Sequence, residues 1–190
     1  MNKISVKYLE EIDACEEGID WFKKHFGTEE YTIDELLNHV KEKNIIPNFK
    51  DFCWLISECE FSQTQEMIDC YISLNSDDVK ISWLIIWCKF AQTQEMIDYY
   101  ISLKPDYANV RWFIKTCEFA QTQFMIDYYL SLKPSYGDVS WLLSECEFAQ
   151  TQFMIDYYVS LNPNYRDASW LIRNCEFAQN NEKLNEYLKK

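Results

Sequence analysis

Apolar positions recur along the chain at helical spacing, and the arrangement returns every 29 residues. In the stretch 110–134, Val110, Phe113, Ile114 and Cys117 fall at i, i+3, i+4 and i+7, one face of a helix. Trp112 and Phe119 lie seven apart and add a second stripe, which predicts a first helix ending near Phe119 or Ala120. Met125, Ile126, Tyr129 and Leu130 show the same spacing in a second helix. Thr122 is its expected N-cap. Leu132 ends the run, and Pro134 lies just beyond it, where a helix cannot continue. Asn109 precedes the first helix, and the equivalent residues are Asp51, Lys80, Asp138 and Asp167. Four of these five are good N-cap side chains.

Three ladders run in phase: Trp54, Trp83, Trp112, Trp141, Trp170; Cys59, Cys88, Cys117, Cys146, Cys175; and Phe61, Phe90, Phe119, Phe148, Phe177. Such a period signals stacked supersecondary units, because one short helix pair cannot bury both its faces. The expected fold is all-α, a solenoid of stacked two-helix (helix-turn-helix) repeats. Large aromatics at one repeat position are expected in the core between repeats, since exposed they would form a contiguous apolar patch.

Residues 54–190 hold five such repeats, the last cut short and closed by a polar, lysine-rich end that suits a terminal cap. Residues 1–53 read as a divergent N-terminal capping unit. Within it Pro47 is still in phase with Pro105. Ile33, Leu36, Leu37 and Val40 predict a helix in the place of a second repeat helix. Tyr8, Leu9, Ile12, Cys15, Ile19, Phe22 and Phe26 predict one helix before it, closed by Gly27.

Composition narrows the function. At 48% apolar and 17% aromatic, the chain is too rich in core material to be disordered. A net charge of −13 repels phosphates, so direct nucleic-acid binding is not expected, while a basic protein surface would be attracted. Equivalent cysteines in neighbouring repeats should lie roughly 8–10 Å apart, beyond the ~4.4–6.8 Å that a disulfide spans. They read as small buried thiols in a reducing compartment. Residues 1–11 are charged and lack the apolar segment of a secretory signal. The apolar run 83–88 is far too short to span a bilayer. A cytoplasmic protein is expected.

The stretch 88–103, CKFAQTQEMIDYYISL, resembles the two-helix core of ankyrin-type repeats. That family's T-P-L-H opening is missing here, and the unit is shorter than the family's roughly 33 residues. The resemblance therefore implies helix pairs joined by tight loops rather than a projecting hairpin. The run 14–27, ACEEGIDWFKKHFG, looks like a motif of uncharacterised bacterial and prophage proteins. It implies a bacterial or mobile-element source, where small acidic proteins often inhibit a host protein by occupying it.

Catalytic chemistry finds little support. His25 and His39 with Cys15 and Cys53 form only a loose set, without the close Cys pairs of a structural zinc site or the marks of an activated thiol. Three glycines leave no phosphate loop. No metal, cofactor or enzymatic activity is expected. The ladder Asp69, Asp98, Asp127, Asp156 presents parallel copies rather than converging groups. It reads as a solvated or hydrogen-bonded row, or as an acidic stripe for a basic partner, lined by Tyr99, Tyr128 and Tyr157.

Positions that vary between near-identical repeats are the best candidates for contact. They include Lys115, in a column of Ser57, Ile86, Ser144 and Arg173, and Trp87, Phe124 and Phe153, where other repeats carry Thr, Glu or Asn; aromatics are favoured interface anchors. The expected function is a non-catalytic scaffold or inhibitor that binds a protein through a face carrying Trp87, Lys115, Phe124, Phe153 and the pairs Asp98-Tyr99, Asp127-Tyr128 and Asp156-Tyr157. The alternative is a structural role in self-assembly.

Overall fold

The computed structural model describes residues 3–43, 45, 49–74 and 77–189; Pro47 lies outside them. Two compact units divide the chain, Met1–Leu103 and Lys104–Lys190. Both are helical, and among the described residues no strand forms. A lone antiparallel bridge joins Ile4 to Tyr31 through hydrogen bonds of 2.7 and 2.9 Å.

The first unit holds α1 (Val6–Glu11), α2 (Glu16–Phe26), α3 (Ile33–Glu42), α4 (Phe49–Glu58), α5 (Gln65–Leu74), α6 (Asp78–Trp87) and α7 (Gln94–Ser102). Two helices stand where the apolar pattern predicts one near the N-terminus. Asp13 takes a positive φ of 56° between them, and Cys15 opens α2 by accepting the Gly18 N–H on its sulfur. Gly27 closes α2 at φ 74°, a backbone that glycine adopts without strain. Helix α3 starts with a capping box, Thr32 and Glu35 each satisfying the other's backbone N–H. It packs on α5, the second helix of the first repeat, and buries Leu36, Leu37 and Val40.

The second unit holds α8 (Tyr107–Thr116), α9 (Gln123–Ser131), α10 (Tyr136–Glu145), α11 (Gln152–Ser160), α12 (Tyr165–Asn174), α13 (Glu176–Gln179) and α14 (Glu182–Tyr187). Helix α10 packs on α8, α11 and α12, and α11 packs on α14. The core stripe of the first helix is as expected: Val110, Phe113, Ile114 and Cys117 are buried, as are Met125, Ile126 and Tyr129 of the second.

Three local expectations are corrected. The N-caps of the first helices are Asp77, Asp106, Ser135 and Asn164, three residues ahead of the positions expected. Each accepts the backbone N–H three residues on; Asp106 Oδ1 takes that of Asn109 at 2.8 Å. The first helix of the repeat ends at Thr116, because Cys117 turns extended (φ −110°, ψ 107°) and a 3-10 turn, Glu118–Ala120, follows. The Trp and Phe ladders are not core. Phe90, Phe119, Phe148 and Trp170 are exposed, and the other ladder members are only partly covered. The aromatic column that is fully buried consists instead of tyrosines of the second helices, Tyr71 and Tyr100 in the first unit and Tyr129 and Tyr158 in the second.

The F-A-Q-T-Q segment joins the first helix of a repeat to the second through a 3-10 turn. Its first glutamine straps the 3-10 turn to the preceding helix: Gln92 and Gln150 amides donate to the carbonyls of Ile85 and Leu143, each at 3.1 Å. The threonine caps the second helix, as Thr122 Oγ1 accepts the Met125 N–H. The second glutamine reaches one turn forward to an aspartate. Helices α7, α9 and α11 each end at a leucine followed by Lys104, Lys133 or Asn162 at φ between 52° and 56°, and by a buried proline.

Candidate binding surfaces

The residues expected to meet a partner fall on two sets of helices. Trp87 ends α6 and is 61% exposed. Its ring lies 6.3 Å from that of Trp83. With Trp54, Cys15, Cys53 and Asp51 these two rings line a groove of about 340 Å³. Lys115 occupies the same stretch of α8, where its Nζ lies 2.7 Å from Glu145 and 4.9 Å from the centre of the Trp141 ring.

Phe124, Phe153 and the Asp-Tyr pairs belong instead to the second helices. Phe124 and Phe153 are each 51% exposed. Phe124 shares one face of α9 with Asp127 and Tyr128, and Phe153 shares one face of α11 with Asp156 and Tyr157, by the i, i+3, i+4 rule. In the first unit a groove of about 170 Å³ on the second helices is lined by Asp69, Phe90, Glu95 and Tyr99. Glu95 is the repeat equivalent of Phe124 and Phe153.

The aspartate ladder is hydrogen-bonded and reachable. Gln65, Gln94, Gln123 and Gln152 donate to Asp69, Asp98, Asp127 and Asp156 at 2.7–2.8 Å. Asp156 also takes Lys183 at 2.8 Å. That contact and the Gln152 amide hold its carboxyl below the usual carboxylate range.

The cysteines and histidines do not converge. Cys15 is exposed at the start of α2, while burial pushes the Cys53 thiol up to about 12. His39 Nε2 lies 3.2 Å from the His25 carbonyl oxygen. Among the described residues, no three His, Cys, Asp or Glu side chains gather in a way that could hold a metal.

Two constellations lie outside the sequence expectations. In the second unit, Arg111 lies between Asp138 and the Trp141 ring. Arg111 stands in a repeat column otherwise filled by Cys53, Ser82, Ser140 and Ser169, and that departure is the signal that could have found it. In the first unit, α1 to α4 enclose an apolar cavity of about 160 Å³ bordered by Asp13 and Asp51. No family model, curated protein or solved structure matches the chain.

Proposed function

We propose that the protein is a non-catalytic, cytoplasmic scaffold, an all-α solenoid of stacked two-helix repeats that binds a protein partner with a basic surface. In its sharpest form it is an inhibitor of the phage or prophage type that occupies a host protein. The observation that carries the reading is the pair Phe124 and Phe153. Each is half exposed where other repeats carry glutamate, and exposed aromatics on rigid helices are favoured anchors. Beside them run Asp127 and Asp156, part of a ladder that already accepts one cation, Lys183. Trp87 and Lys115, on the first helices, offer a second row of contacts.

The test is capture of partners from lysate of the source cell, comparing the protein with a Trp87→Ala, Phe124→Ala, Phe153→Ala variant whose helicity is checked by circular dichroism. A stoichiometric protein lost only with the variant supports the reading and places the contact. No such protein, together with a mass that rises with concentration, would replace it by self-assembly. Reversing the charge of Asp98, Asp127 and Asp156 without changing affinity would remove the acidic ladder from the interface.

A further inference from the structure

The second unit contains a cation clamp built from its own side chains. Arg111 Nη1 lies 2.6 Å from Asp138 Oδ1, and its Cζ stands 4.3 Å from the centre of the Trp141 ring. The carboxylate and the indole come from one helix, α10, three residues apart and so on one side of it. The guanidinium comes from α8, the first helix of the repeat before.

The same Asp-x-x-Trp pair occurs twice more, as Asp167-Trp170 and Asp51-Trp54. Ahead of Asp167-Trp170 the arginine position is Ser140, and the groove there is lined by Arg166 and Arg173. Its carboxylate has cations of its own chain close by. Ahead of Asp51-Trp54 stands α2, which brings a glycine: a Cβ on Gly18 would lie 4.0 Å from Asp51 Cγ and 3.4 Å from Cys15 Sγ. Lys50 lines the neighbouring groove together with Asp51 and Trp54, but no ion pair reaches Asp51 among the described residues. Where the second unit has an arginine, the first has the 160 Å³ cavity.

The cavity wall suits what is missing. Trp21 and Trp54 supply aromatic rings, Leu36 and Val40 apolar surface, and Asp13 and Asp51 the charges; no basic residue lines it. Burial and the nearby Glu17 push the Asp51 carboxyl up, against the opposing pull of Lys50. A cation placed there would offset both.

We propose that this cavity takes an arginine side chain of a protein partner, with the guanidinium held between Asp51 and Trp54 and the stem laid against the apolar wall. This rests on the protein-binding reading above and names the chemistry of one contact. Arginine fits better than lysine because its planar, weakly hydrated head stacks on indole and pairs with a carboxylate at once.

The full chain, isotope-labelled at tryptophan, is titrated with N-acetyl-glycyl-arginyl-glycinamide and with the same tripeptide carrying lysine or citrulline. The arginine probe shifts the indole N–H signals of Trp21 and Trp54 saturably. Citrulline, which keeps the shape and loses the charge, binds roughly tenfold more weakly or worse, because the charge-assisted hydrogen bond is gone. Asp51→Asn weakens the arginine probe to a similar degree, and Asp167→Asn leaves it unchanged. Equal binding of citrulline or lysine, unchanged affinity in Asp51→Asn, or shifts confined to other tryptophans would overturn the inference. So would saturation by methylguanidine with the tripeptide excluded, which makes the cavity a small-molecule site. The citrulline arm uses the unaltered protein and stands even if Asp51→Asn does not fold. Because the probe is read on the isolated chain, its failure leaves the scaffold reading intact. A failed partner capture likewise leaves the probe result standing.

Discussion

Asp51 in the N-terminal helices and Asp138 in the second unit hold the same place in the repeat, each three residues before a tryptophan, yet their surroundings oppose each other. Asp138 is covered and paired with Arg111. Asp51 borders a cavity, with burial and Glu17 acting against its charge. Repeat equivalence fixes where a side chain stands but not what it faces, and the facing helix decides the energetics.

Removing the cation should have the largest effect. Arg111→Ala takes the charged partner from the Asp138 carboxylate, which keeps only the Ser135 hydroxyl, and leaves the Trp141 ring to Lys115 alone, so urea denaturation is expected to show a loss of about 2 kcal/mol. Next come the isosteric amides. Asp138→Asn should cost ~1 kcal/mol through the lost charge-assisted pair. Asp51→Asn should leave stability unchanged or raise it by up to about 0.5 kcal/mol at neutral pH, a small figure because solvent screens a half-exposed carboxylate.

The two also differ in pH dependence. A carboxyl whose folded pKa is raised penalises folding as pH climbs from the usual carboxylate range through the raised value. The gain from Asp51→Asn is therefore expected at neutral pH and should vanish in acid. Equal losses from the two amides at pH 7 would erase the contrast.

A smaller contrast runs through the tyrosine column. Tyr71 donates to the Lys80 carbonyl at 3.1 Å, whereas the buried Tyr129 hydroxyl has no hydrogen-bond partner among the described residues. Tyr71→Phe should cost about 1 kcal/mol, and Tyr129→Phe about zero or slightly less than zero, since it removes an unsatisfied buried group. Calorimetric melting of both variants checks the pair. Smallest is Lys115→Ala. Its ion pair with Glu145 is partly exposed and screened by solvent, and the change in stability should stay within about 0.5 kcal/mol.

The helical architecture was legible because the buried stripe keeps strict helical spacing. Thr122 was legible as a cap because a polar gap precedes its stripe. The earlier start of the first helix was hidden, since Tyr107, Ala108 and Asn109 form a first turn that adds nothing to that stripe, and Tyr107 is exposed. The Trp ladder misled through residue type. At about 100° per residue, Trp112 lies ~200° around the helix from Val110, away from the buried side, so angle outweighs hydrophobicity there. The break between α1 and α2 was masked by an apolar pattern that runs unbroken across it, although Asp13 and Cys15 divide the backbone.

Of the candidate surface, the exposure of Trp87, Phe124 and Phe153 was readable from their variation between repeats. Their separation onto first and second helices follows from their positions in the unit. The Asp51 cavity had no local signature. It needs four helices and the missing side chain of Gly18, and only the folded chain brings these together.

The cysteine column carries a practical consequence. Cys59, Cys88, Cys117, Cys146 and Cys175 are all buried, one per repeat, whereas Cys15 is exposed. A thiol reagent can reach a buried sulfur only when the surrounding helices part. Once Cys15 is masked, the order in which these thiols, with the buried Cys53 and Cys70, react reads out the order in which the helices around them part. The chain thus carries, without any added label, its own record of where unravelling begins.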